Sequence, residues 1–143
     1  MNIRNIAHKS DEYDQMIELR VTQLLEPIGV PASYIDKEAE TTDILIGAFE
    51  NNELIGCCVL TTRGNGVVQL RQMAVKSNYR GKGIGAAIVD FAEAVARKNA
   101  FATLMMHARD PVVGFYEKSG YETYDEPFSE VGIGHRKMRK QLY

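Results

Sequence analysis

The chemistry in this chain is concentrated in one stretch, Arg80-Gly81-Lys82-Gly83-Ile84-Gly85-Ala86, which follows the polar run Lys76-Ser77-Asn78-Tyr79. Glycines let backbone N–H groups approach a ligand closely, and these glycines open into a run with helical spacing, whose N-terminus favours anions. Arg80 and Lys82 add positive charge. On these residues alone the stretch reads either as a phosphate or diphosphate site or as a solvated, Gly-rich helix start. Two other phosphate loops fail. A P-loop needs Gly-Lys followed by Ser or Thr, and here Gly83 follows Gly81-Lys82. Gly81-x-Gly83-x-x-Ala86 fits the loose dinucleotide pattern, but a polar loop separates strand from glycines and residues 99–108 contain no carboxylate.

The strand before this loop, Val67–Val75, changes phase. Val68 and Leu70 share one face, whereas Met73 and Val75 share the other. A break at Arg71-Gln72 is expected to be a β-bulge that frees backbone groups for a ligand; a strand buried on both faces is the alternative. Downstream, Phe115-Tyr116-Glu117-Lys118-Ser119-Gly120-Tyr121 puts a tyrosine on a short helix just after the next strand. Tyr116 then faces the same crevice, at the C-terminal ends of two neighbouring strands.

The elements that must position these groups follow from periodicity. A short strand is expected over residues 2–7. A helix follows, capped by Ser10 with Asp11 and Glu12 in its first turn, and runs to about Glu26. Pro27, Gly29 and Pro31 end it. Residues 31–42 are polar and poorly periodic, and read as a loop or a second helix. Strands at 44–49 and 54–62, joined at Asn51-Asn52, form a hairpin. Gly64-Asn65-Gly66 turns the chain into Val67–Val75. A helix over 83–98 buries Ile84, Ile88, Phe91, Ala92 and Val95 on one face. The strand at 101–107 is then expected parallel to Val67–Val75. A short helix from Pro111 to Lys118 ends at Gly120, and strands at 121–128 and 133–142 close the fold around a turn containing Gly132 and Gly134. The class is α+β: a mixed, mostly antiparallel sheet of about six to seven strands flanked by about four helices.

Composition bounds the reading further. With 143 residues the chain has the size of one domain, taken as residues 1–143. Seventeen basic and 19 acidic side chains give a net charge of −2, which argues against a dedicated nucleic-acid partner. No apolar run reaches the ~18 residues a membrane span needs, and the N-terminus has no signal-peptide core, so no membrane partner and a cytoplasmic location are expected. Cys57 and Cys58 are neighbours, point to opposite faces of a strand and read as reduced packing residues. The three histidines lack metal-ligand spacing, and no metal is expected.

With these motifs in hand, the chain resembles the GNAT superfamily of N-acetyltransferases, small single-domain members of bacterial type. Arg80-Gly81-Lys82-Gly83-Ile84-Gly85 matches that family's Arg/Gln-x-x-Gly-x-Gly/Ala motif, and the segment ending in Phe115-Tyr116-Glu117-Lys118-Ser119-Gly120-Tyr121 looks like its later motif. Gly132-Ile133-Gly134-His135-Arg136-Lys137-Met138 resembles the final strand of several small members. The resemblance implies a GNAT-like fold and acetyl-CoA as co-substrate. It implies that backbone N–H groups of Arg80, Gly81, Lys82, Gly83, Ile84, Gly85 and Ala86 hold the pyrophosphate. It also implies that Met73, Ala74 and Val75 pair with the pantetheine arm as an added strand does. The Met73 N–H would polarise the thioester carbonyl, and Tyr116, beside the cofactor arm, would protonate the leaving thiolate.

The implied reaction is direct attack by a neutral primary amine, small-molecule or peptidyl, through a tetrahedral intermediate. No strand carboxylate supplies a general base, since Gln69, Arg71 and Gln72 stand where the family often carries one. His107 acting through water is weighed against a packed histidine at a strand end; His135 lies in the last strand and His8 at the surface. The acidic group Asp36, Glu38 and Glu40 and the basic run Arg136, Lys137, Arg139 and Lys140 read as solvated charge. The rivals to an acyltransferase are a non-catalytic acyl-CoA-binding sensor on the same fold and an acceptor-specific protein acetylase. Pairing of the last strands across a homodimer stays open.

Overall fold

The computed structural model describes residues 1–143. Strand β1 (Asn2–Asn5) leads into helix α1 (Asp11–Arg20), which Ser10 caps by accepting the Tyr13 N–H at 3.1 Å. The helix does not stay regular to Glu26. It widens into a π turn over Val21–Leu25, tightens into a 3₁₀ turn over Glu26–Ile28, and stops at Gly29, where φ is +72°. The segment left between loop and helix is neither a full helix nor plain coil. Short 3₁₀ turns at Ala32–Tyr34 and Ala39–Thr42 organise it, so three α-helices flank the sheet rather than about four.

Strands β2 (Ile44–Glu50) and β3 (Glu53–Gly64) meet at Asn51-Asn52, both at positive φ as a tight two-residue hairpin demands. Strand β4 (Val67–Val75) has the expected limits, and helix α2 (Ile84–Lys98) crosses over to β5 (Thr103–Arg109). Pro111 sits in a 3₁₀ turn that feeds helix α3 (Val113–Lys118). Strands β6 (Glu122–Glu130) and β7 (Ile133–Gln141) turn at Val131-Gly132; Gly134 lies inside β7, where a Cβ would collide with the Asp110 carboxylate.

The seven strands form one sheet in the order β1-β2-β3-β4-β5-β7-β6. Every neighbouring pair is antiparallel except β4–β5, which the α2 crossover makes parallel. Along the outer strand β6, register is lost between Tyr124 and Phe128, with Asp125 at φ +59° and Pro127 in the gap. No helix is long and apolar enough to cross a membrane.

Two apolar cores flank the sheet. On one face Tyr13, Met16 and Leu19 of α1 pack on Leu45, Phe49, Cys57 and Val59. On the other, Ile84, Ile88, Val89 and Ala92 of α2 pack on Ile46, Cys58, Leu60 and Met106, together with Tyr116. Cys57 and Cys58 therefore serve opposite cores as free, buried thiols. Burial pushes both thiols up, Cys57 to about 12.

Candidate active site

The parallel ladder between β4 and β5 is short. It joins Val67, Val68 and Gln69 to Thr103, Leu104 and Met105, and beyond Gln69 the two strands have no register partners in common. On its other side β4 pairs with β3 up to Arg71 and again from Ala74, with the shift lying between Cys57 and Val59. Gln72 and Met73 are thus skipped by both neighbours. The expected bulge is present, and Gln72 carries it at φ +53°. Two consecutive residues thus lie outside the register of both neighbouring strands, and the Gln72 carbonyl accepts instead from the Cys57 thiol at 3.8 Å.

The glycine loop lies just past the end of β4. Gly81 and Gly83 have φ +77° and +79°, and a Cβ at either would meet nothing within 4 Å, so open space adjoins both. Gly83 caps α2 without a side-chain bond, and the first bond of the helix is Ala87 N–H to Gly83 O at 3.1 Å. The N–H groups of Ile84, Gly85 and Ala86 precede that bond and have no intrahelical partner. Ile84 is anchored in the α2 core, whereas Lys82 and Ala86 are exposed. Gly85 has a packing duty of its own: a Cβ there would lie 3.1 Å from Phe115. Arg80 is tied back by Nε to Val75 O at 3.2 Å and by Nη2 to Gln23 Oε1 at 2.7 Å. The Lys82 ammonium lies 5.3 Å over the Tyr79 ring. Uncapped N–H groups, two cations and free volume form a fitting cradle for a diphosphate.

Tyr116 lies in the α2-side core, 5% exposed, edge-on to Phe115 and Tyr121. Burial pushes its hydroxyl well above the ordinary tyrosine range, with the Cys58 thiol adding to the effect. Cys58, the β3 residue opposite the bulge, shares the α2-side core with Tyr116, and Met73 packs against that core.

Several charged groups have duties that their sequence positions hid. Glu40, read as solvated, is 2% exposed and takes a two-pronged bond from Arg20, at 2.9 and 2.6 Å, with the Tyr13 hydroxyl at 2.7 Å. Burial pushes the Glu40 carboxyl up, but the Arg20 and Tyr13 bonds outweigh it and leave it below the usual range. The signal for Arg20 was present, since it falls seven residues after Tyr13 on the buried stripe of α1. The C-terminal basic run is likewise engaged. Lys140 bonds the buried Glu93 at 3.0 and 3.1 Å, Lys137 lies 3.6 Å from Asp125, and Arg139 stacks over Tyr124. His107 Nδ1 lies 3.3 Å from Glu130, and the buried His135 lies 3.7 Å from the same carboxylate, with Phe128 against both rings. His8 is exposed, its ring 3.0 Å from Glu40 O.

On the α1 face, the 3₁₀ turns, Asp43 and strands β3 and β4 line an open cavity of about 330 Å³ that includes Asp36, Glu40, Thr61, Arg63 and Arg71. Asp43 is buried there, 3.7 Å from Arg71. Burial raises its carboxyl, with Thr61 and Arg71 pulling the other way.

The model of the acetyltransferase (GNAT) domain family matches residues 13–142. A Bacillus subtilis (strain 168) protein named as an acetyltransferase is 30% identical over 99% of this chain and 97% of its own length. Among solved structures, an N-acetyltransferase from Lactobacillus plantarum superposes with a TM-score of 0.89 at 22% identity, covering both chains completely. An aminoglycoside 6'-N-acetyltransferase complexed with coenzyme A gives 0.85 at 17% identity, over 100% of this chain and 98% of that one.

Proposed function

Because the chain belongs to the GNAT acetyltransferase family, we propose that residues 1–143 form one N-acetyltransferase domain that moves an acetyl group from acetyl-CoA to a primary amine. The observations that carry this reading are the parting of β4 from β5 beyond Gln69, the bulge at Gln72-Met73, and the α2 N-terminus that follows them along the chain without a side-chain cap and beside two cations. That sequence of features suits an extended thioester whose tail is a pantetheine arm and whose far end is a diphosphate. The coenzyme A bound to a neighbour of the same fold supports it.

In this reading the N–H groups of residues 80–86 and the Arg80 and Lys82 cations hold the pyrophosphate. The β4 backbone at Met73, Ala74 and Val75 takes the pantetheine amides as an added strand. The Met73 N–H points its dipole at the thioester oxygen, where charge grows in the transition state. The amine nitrogen attacks the carbonyl carbon, forming the C–N bond and a tetrahedral oxyanion. As the carbonyl reforms, the C–S bond breaks and the thiolate takes the proton of the Tyr116 hydroxyl, which regains one from solvent before the next turnover. The proton shed by the amine passes to water. The acceptor is a small-molecule or peptidyl amine.

A thermal melt with acetyl-CoA tests the cofactor site. Ligand at about 100 times its Kd adds about 2.7 kcal/mol. For a domain of this size that raises Tm by about 5–10 °C. Gly83→Glu, which puts a carboxylate on a backbone at φ +79° in the diphosphate cradle, should abolish the shift. No shift at millimolar acetyl-CoA in folded protein refutes the reading. A shift without thiol release across a panel of amines makes the protein an acyl-CoA-binding module instead.

A further inference from the structure

Gln72 is a long side chain where glycine would be at ease. Its φ of +53° is the left-handed region, which non-glycine residues occupy at a cost, and such outliers persist where the surroundings hold them. Here the holding groups are visible. The Arg20 Nε donates to Gln72 Oε1 at 3.2 Å, and the Cys57 thiol donates to the Gln72 carbonyl at 3.8 Å. Arg20 is itself 0% exposed and fixed by its two bonds to Glu40. Glu40 belongs to the 3₁₀ turn Ala39–Thr42, which walls the cavity on the α1 face. One guanidinium therefore links the cavity wall, helix α1 and the residue that forms the bulge.

We infer that Gln72 is a positioning residue, and that the Arg20–Gln72 bond holds the β4 bulge in the arrangement that aims the Met73 N–H. The inference rests on the acetyltransferase reading above. A side chain at residue 72 is worth its backbone strain because it gives Arg20 something to grip; glycine would relax the strain and lose the grip. The link also explains why a charged residue is spent in the core of α1, since an apolar side chain there would pack but hold nothing across to β4.

Gln72→Gly and Gln72→Met separate the explanations, the first removing the strain and the second keeping the length without the acceptor oxygen. Both leave the buried Arg20 Nε without its acceptor and should lower Tm by roughly 3–10 °C in a protein that still folds, while keeping acetyl-CoA Kd within about twofold and lowering kcat at least about tenfold, as misaimed groups do. The thioester carbonyl stretch of bound acetyl-CoA should move toward its value in water in both. Wild-type kcat in Gln72→Gly overturns the proposal, and so does wild-type kcat in Gln72→Met, which would show that length alone suffices. The ligand-free protein gives an independent reading. Relaxation dispersion at the Arg71, Met73 and Ala74 amides should report millisecond exchange in Gln72→Gly and none in wild type. Unchanged amides overturn the proposal even if wild type fails to bind acetyl-CoA, an outcome that counts separately against the acetyltransferase reading.

Discussion

Replacing Glu40 with Gln leaves the size of the side chain intact and removes its charge. Arg20, fully buried, then keeps a positive charge facing a neutral amide that can accept one of its two bonds. Breaking one partner of a buried pair costs about 3–5 kcal/mol, because the stranded charge has lost both water and counter-ion. Unfolding entropy of about 2.1 cal/mol/K per residue gives about 0.30 kcal/mol/K for this chain, so Tm should fall by about 10–17 °C. The pH dependence has a fixed sign. Glu40 titrates lower in the folded protein than unfolded, so its contribution is present above the unfolded value, about 4.3, and is lost as pH falls through the folded one. Scanning calorimetry at pH 7 and then in steps down to pH 3 should show the wild type converging on Glu40→Gln in acid. A Tm loss under about 3 °C at pH 7, or a gap that does not narrow in acid, refutes the account. The triple change Tyr13→Phe, Arg20→Met, Glu40→Leu removes the Tyr13–Arg20–Glu40 triad and should recover most of the lost Tm, since apolar replacements of buried pairs are often neutral or better. Its kcat should stay low, because Gln72 has then lost Arg20.

Two other perturbations follow from the same geometry. Tyr116→Phe should lower kcat by more than about tenfold, the scale of a lost general acid, with acetyl-CoA affinity little changed; near-normal kcat would leave Tyr116 a packing residue. Alkaline stability should be flat to about pH 8.5 and fall steeply above pH 10, because Cys57, Cys58, Tyr13, Tyr116 and Tyr121 all titrate higher folded than unfolded. Their stabilisation is complete below the unfolded values and disappears as pH rises toward the folded ones, each group adding up to about 1.4 kcal/mol per pH unit to the slope. Urea midpoints that stay constant from pH 8 to pH 11 would contradict this.

What could be read in advance was what is local. The switch of apolar phase between Leu70 and Met73 announced the bulge, because side-chain period and pairing register are one property of a strand. Adjacent cysteines implied opposite faces for the same reason, and each thiol lies in a different core. The glycine loop was legible because positive φ and an open helix start are written in residue type. Pairings between distant residues were not. Glu40 meets Arg20 across 20 residues, Lys140 meets Glu93 across 47, and His107 meets Glu130 across two strand pairings. Glu40 and Lys140 look solvated in one dimension, and only the packing of α1, α2 and the last strands decides otherwise. The 31–42 segment lacked any period because its two 3₁₀ turns are too short to produce one.

The gap in β6 bears on how this molecule tolerates crowding by its own kind. An outer strand is an open template for a further strand, and unguarded ones recruit neighbouring chains into aggregates. Here Asp125 turns the backbone left-handed and Pro127 offers no N–H, so the template is broken in its middle. Glu122, Glu126 and Glu130 line the same strand with negative charge. A sheet continued through this edge could zip only over Glu122–Tyr124 and Phe128–Glu130 separately, too little backbone on either side to hold a stray partner. The opposite edge, β1, is four residues long. Both ends of the sheet are thus closed to casual extension, one by interruption and the other by brevity.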